Sequence, residues 1–228
     1  MRTLGWVALF LVIGLGTLKF APEPARADTV AECARDFSAG VRSSYPPDMD
    51  RYIPLSKLKA ASAKLCAGWM AYGRKHPSAR PDDLRSLVAV IREKPATHRP
   101  LCAVTVQVDL AANAHTYRFV TKTERNRYQR EYCRLAVEYF QPNSIAIDNA
   151  RLAAEHPGLY APFCASTVQD EVGPAVLAAF SRPKMQRITR RACLQALERG
   201  VIRCGSAGFN NAQIDNARFD AILQRQGL

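Results

Sequence analysis

Beyond Leu18 the chain has no apolar run approaching the twenty or so residues needed to cross a membrane. It also has no glycine-rich phosphate loop, no nucleophile elbow and no His-Glu-x-x-His helix, so the common marks of nucleotide, acyl-transfer and zinc-peptidase chemistry are missing. The histidines are His76, His98, His115 and His156, and no two of them stand at the i, i+4 spacing that sets two ligands on one helix face. "QIDNARFD" lacks the alternating oxygen ligands and central glycine of a calcium loop. No metal and no cofactor are therefore expected. No segment is low in complexity, which removes disorder as the default.

What is present begins at the first residues. Arg2 precedes an almost wholly apolar run from Leu4 to Leu18, and Pro22 and Pro24 stand ahead of Ala25-Arg26-Ala27. A positive start, a hydrophobic middle and a small-x-small end describe a secretory signal peptide, residues 1–27, cleaved after Ala27. The alternative is an uncleaved anchor, for which the run is short. Removing Arg2, Lys19, Arg26 and Glu23 with this segment lowers the formal charge from +12 to +10, so the basic character belongs to the remaining 201 residues. A chain of that length buries a real core, and its export to the periplasm or beyond places it where thiols pair.

All seven cysteines follow Ala27: Cys33, Cys66, Cys102, Cys133, Cys164, Cys193 and Cys204. The first six are separated by 33, 36, 31, 31 and 29 residues. The stretch "RPLCAVTVQ" at 99–107 returns as "APFCASTVQ" at 161–169, with six of nine positions identical. Ile147-Asp148-Asn149-Ala150-Arg151 after Cys133 returns as Ile214-Asp215-Asn216-Ala217-Arg218 after Cys193, with a degenerate counterpart at Pro81-Asp82-Asp83-Leu84-Arg85. These matches define three tandem repeats of about 60 residues, 28–98, 99–160 and 161–228, of which the first is divergent. The third carries seven extra residues around "VIRCGSAGFN", and Cys204 lies in that insertion.

Each repeat reads as about three helices. "SRPKMQRITRRACLQALERG" places Met185, Ile188, Cys193 and Leu197 toward one side, opens at Ser181 and Pro183 and closes at Gly200. Asp148 and Asp215 are positioned to accept first-turn N–H bonds of the short helices after them. After Cys164, Val168, Val172, Val176 and Phe180 recur every four residues, with Pro174 interrupting. After Cys102, Val104, Val106 and Val108 alternate as a strand would, but the likeness to the third repeat favours a helix. The expected fold is all-α. Short amphipathic helices of this kind need stacking and cross-links, which favours disulfides within repeats, Cys33–Cys66, Cys102–Cys133 and Cys164–Cys193. The alternative joins Cys66–Cys102, Cys133–Cys164 and Cys193–Cys204.

The feature that points to function is the charge ahead of each second cysteine. Lys57, Lys59 and Lys64 precede Cys66; Lys122, Arg125, Arg127 and Arg130 precede Cys133; Lys184, Arg187, Arg190 and Arg191 precede Cys193. Steps of mostly three residues hold the later two sets on helical stripes. Such stripes suit an anionic envelope polymer, a lipid surface or an acidic protein, while no nucleic-acid-binding motif accompanies the charge. Tyr117, Tyr128 and Tyr132 interleave with the arginines, either for cation–π contact or as core residues. Cys204, flanked by Gly205 and Gly208, reads as part of an exposed loop and a route to a disulfide-linked homodimer; a reactive thiol and a buried leftover are the alternatives. Acid pairs such as Glu32 with Asp36 and Asp170 with Glu171 set no reaction class. The expectation is a non-enzymatic binding protein, with an envelope hydrolase working between repeats, or a structural assembly subunit, as the alternatives.

Overall fold

The computed structural model describes residues 29–76, 84–141, 147–171, 180–205 and 208–228. The expected signal peptide, the Pro81-Asp82-Asp83 motif and the Val172-to-Val176 segment with Pro174 lie outside them. The described chain is mostly helical, with nine α-helices, and it divides into two compact units whose boundary falls within a helix, after Tyr128.

The first unit contains α1 (Val30–Ser43), α2 (Leu55–Lys75), α3 (Leu84–Glu93), α4 (Pro95–Ala112) and the part of α5 (Lys122–Leu135) from Gln129 onward. Helix α1 starts where Thr29 and Glu32 cap each other's backbone N–H groups, a reciprocal arrangement that satisfies two orphan donors. In α2 the buried residues Leu58, Ala61, Ser62, Leu65, Cys66 and Trp69 repeat every three or four positions, and that stripe packs on α1 and α4. Helix α4 explains the misleading valine alternation. Leu101, Val104, Thr105, Val106, Val108, Asp109 and Leu110 are all buried, so most of its circumference is enclosed and no single face needs to be polar.

The second unit contains the start of α5, α6 (Asn149–Glu155), α7 (Pro157–Glu171), α8 (Arg182–Glu198), a hairpin of β1 (Ile202–Gly205) and β2 (Gly208–Ile214), and α9 (Asn216–Arg225). Helices α7 and α8 pack closely, with the buried Gln169 donating to Ala165 O at 3.1 Å and to Thr189 Oγ1 at 3.0 Å. Just past the end of α8 stands Gly200, whose φ of 62° lets the Gly200 and Val201 N–H groups turn back onto the Leu197 and Ala196 carbonyls. Asp148 accepts the Arg151 N–H at 3.0 Å and Asp215 accepts the Arg218 N–H at 3.2 Å, so both are helix caps.

The three disulfides are Cys33–Cys66, Cys102–Cys133 and Cys164–Cys193, each tying two consecutive long helices. They suit an oxidising compartment. Among the described residues no helix is long and apolar enough to cross a membrane. The repeat limits at 98/99 and 160/161 fall inside α4 and α7.

One expectation needs correction. The insertion around Cys204 forms an antiparallel hairpin, Ile202 opposite Ile214 and Arg203 opposite Gln213, a small addition to a mostly helical fold. Cys204 is 2% exposed rather than on an open loop, and burial pushes its thiol up to about 12. Of the readings of Cys204, the structure bears on exposure: the thiol is covered in the hairpin.

His98 generates a pH prediction. It is 4% exposed, stands edge-on to Phe140 at 5.6 Å and leaves Nδ1 without a hydrogen-bond partner. Burial lowers its pKa from 6.5 to about 4. Between those values the unfolded chain binds the proton and the folded chain does not. Stability from this residue is therefore intact above about pH 6.5 and falls by roughly 3 kcal/mol on descent to pH 4. Urea midpoints between pH 7 and 4.5 are expected to fall more steeply for the native chain than for His98→Leu; parallel slopes would refute the assignment. The caps give a second expectation: Asp148→Ala and Asp215→Ala each cost about 1 kcal/mol in the same assay, and Asn at either position restores most of it.

Candidate functional site

The basic residues separate into two kinds once folded. Lys57, Lys59 and Lys64 on α2, Lys122, Arg127 and Arg130 on α5, and Lys184, Arg187 and Arg191 on α8 are exposed. Arg125 and Arg190 are not free cations. Arg125 donates through Nε and Nη2 to Val120 O, at 3.1 and 2.9 Å. Arg190 pairs with Glu124 at 2.8 Å, and Glu124 also takes the Thr121 N–H and hydroxyl at the start of α5. These two arginines join α5 to its flanking loop and to α8, so the charge stripes read from spacing are partly structural.

The tyrosines resolve toward the core. Tyr117 meets Phe163 edge-on at 5.0 Å, and Tyr128 packs on Phe163 and Tyr160 at 4.6 and 5.8 Å. Tyr132 is likewise buried. None of the three is presented as an exposed ring for an arginine or a ligand.

The structure places a cationic pocket where the stripe pattern did not look. Residues 113–121 connect α4 to α5, and the fully buried Ser166 of α7 pins them. Its hydroxyl donates to Thr116 O at 2.7 Å and accepts the Phe119 N–H at 3.2 Å. Tyr117 and Val120 point into the core, and Arg118 and Phe119 between them remain accessible. Those two line an open cavity of about 420 Å³ together with Gln169, Arg182 and Met185. The Arg118 and Arg182 guanidinium carbons lie 4.8 and 5.6 Å from the centre of the Phe119 ring. Cations held over an aromatic face are preorganised at little cost in side-chain freedom.

Among the described residues the pocket lining holds two guanidinium groups and no carboxylate, imidazole or thiol. Arg118 is already paired with Asp170 at 2.7 Å, just outside the lining, so an incoming oxyanion shares or displaces that partner. Arg182 makes no ion pair among the described residues. Two residues on, the Lys184 ammonium stands 5.0 Å from the Phe180 ring. The start of α8 differs from those of α1 and α5. The latter place Glu32 and Glu124 three residues after a capping threonine, while Lys184 holds that position after Ser181, whose side chain caps nothing. Positive residues at the positive end of a helix are mutually unfavourable until an anion arrives.

None of the basic sequence candidates lines this pocket. Arg118, Phe119 and Arg182 escaped the stripe pattern because two of them belong to a connecting loop and the third precedes the periodic part of α8. The signal available was the direct succession of Arg118 and Phe119, and only the Ser166 tether makes it meaningful. Comparison of the chain with family models, with curated proteins and with solved structures finds no match to any of them.

Proposed function

We propose that this chain is a secreted or periplasmic binding protein, freed of residues 1–27 and built from three tandem helical repeats. Its ligand is a carboxylate- or phosphate-bearing envelope component, held at the pocket formed by Arg118, Phe119 and Arg182. The observation that carries this reading is the pair of guanidinium groups converging on one aromatic ring, in a cavity that Gln169 and Met185 also line and that, among the described residues, has no acid, imidazole or thiol in its lining. A bidentate guanidinium matches either oxyanion, and the exposed cations of α8 extend the attraction beyond the pocket.

The repeat reading draws on parallels between the later two copies. Helices α4 and α7 each begin at a proline, Pro95 or Pro157, with a second, Pro100 or Pro162, five residues on and the cysteine two residues later. The next long helix carries the second cysteine, and a short helix with an aspartate cap follows. Ahead of each cap lies a strand contact, Phe140 with Ile147 or Ile202 with Ile214. The seven added residues of the third repeat thus lengthen a single bridge into a hairpin.

The test is a titration of the mature, disulfide-bonded chain with polyglutamate at 50 and 300 mM salt. Arg118→Gln combined with Arg182→Gln is expected to weaken binding about tenfold at low salt and to reduce its salt dependence. Arg190→Gln is expected to lower the melting temperature, since it removes the Glu124 tie. Unchanged polyglutamate affinity in the Arg118/Arg182 double variant sinks the proposal.

A further inference from the structure

The first unit carries a second polar depression, independent of the Arg118 pocket. It runs between α2 and α4 with one contribution from α5, encloses about 330 Å³ and, among the described residues, has no acidic side chain in its lining. Its floor is aliphatic, made by Ala60, Ala61, Pro100, Ala103 and Val104. Lys57 and Lys64 stand along one wall. Seven residues of helix separate them by about 10.5 Å and nearly two turns, so they mark the two ends of one face.

The opposite wall offers two side-chain amides in defined orientations. Gln129 donates through Nε2 to Ala103 O at 2.6 Å, which leaves its carbonyl oxygen as an acceptor. Gln107 accepts from Lys57 Nζ at 3.3 Å through Oε1, which leaves its NH2 group as a donor. One free acceptor and one free donor complement the N–H and C=O of a peptide backbone. The aliphatic floor suits a chain with apolar stretches between charges. Among the described residues no aromatic ring lines the groove for a sugar to stack on.

From this juxtaposition we propose that the α2–α4 groove binds an extended acidic peptide segment of a partner protein, with carboxylates three residues apart paired to Lys57 and Lys64. In polyproline II conformation residues i and i+3 share a face and stand about 9 Å apart, close to the lysine separation. Gln107 and Gln129 bond the backbone between them, and the preformed extended segment loses little entropy on docking.

The probe is a fluorescently labelled, N-acetylated peptide with the repeat Glu-Ala-Pro, whose alanine keeps a backbone N–H for Gln129, titrated by anisotropy against the mature, disulfide-bonded chain at 50 mM salt, with the repeat Gln-Ala-Pro as its neutral control. Lys57→Gln and Lys64→Gln are each expected to weaken binding about three- to fivefold and the double variant at least tenfold. Lys59→Gln, on the same helix but outside the groove, leaves it unchanged. Ala60→Leu blocks the floor without altering charge and abolishes binding, with circular dichroism unchanged. The Arg118/Arg182 double variant retains peptide binding, which separates this site from the proposed pocket. Equal losses at Lys59 and Lys57, insensitivity to Ala60→Leu, or absence of peptide binding overturns the assignment. So does Lys57- and Lys64-dependent binding of polygalacturonate or of anionic vesicles in place of the peptide.

Discussion

Each disulfide joins a helix to the next long helix, and all six bonded cysteines are buried at 5% exposure or less. The packing of both units depends on this constraint. A short amphipathic helix has too little apolar surface to hold its place alone, and closing a loop of roughly 30 residues removes about 3 to 4 kcal/mol of freedom from the unfolded chain. The bonded sulfurs also act as core atoms, continuing the apolar stripe that Leu65 and Trp69 make on α2 and that Ala192 and Ala196 make on α8. With the helix pairs tied, loops between them become precise. Ser166 on α7 fixes the 113–121 connection, and that connection carries Arg118 and Phe119.

Charge is used in two ways. Some basic residues are internal fasteners: Arg125 on the Val120 carbonyl, Arg190 on Glu124, and Arg42 in a bidentate pair with Asp50 that lowers the carboxyl and raises the guanidinium. The others remain on the surface, where a net excess of cations raises local anion concentration and association rates. A helical stripe in the sequence does not distinguish the two. The distinction rests on whether an acceptor lies within reach in the folded chain.

The helices, their caps and the cysteine pairing preference were legible because they depend on short-range rules. Asp148 and Asp215 precede apolar runs with the spacing of a cap, and Gly200 follows one with the freedom to reverse. Val104, Val106 and Val108 were ambiguous because a helix enclosed around most of its circumference loses the 3.6-residue signal. The hairpin was hidden by its brevity and by glycines that read as loop. Its burial of Cys204 depends on packing no local pattern encodes. The inward turn of Tyr117, Tyr128 and Tyr132 was equally undecidable, since a tyrosine suits core and surface alike.

By itself the sequence determined a preference for the cysteine pairing, the helical character, the excess of positive charge and the absence of the familiar catalytic motifs. These follow from composition and from spacings within a few turns of chain. The tertiary structure alone decided which cations are fasteners and which are free, that Cys204 is covered, and that Arg118, Phe119 and Arg182 line one pocket. Arg118 and Arg182 are 64 positions apart in sequence. What brings them to one ring is the Ser166 tether and the α7–α8 packing, interactions between residues distant in sequence that no local periodicity records.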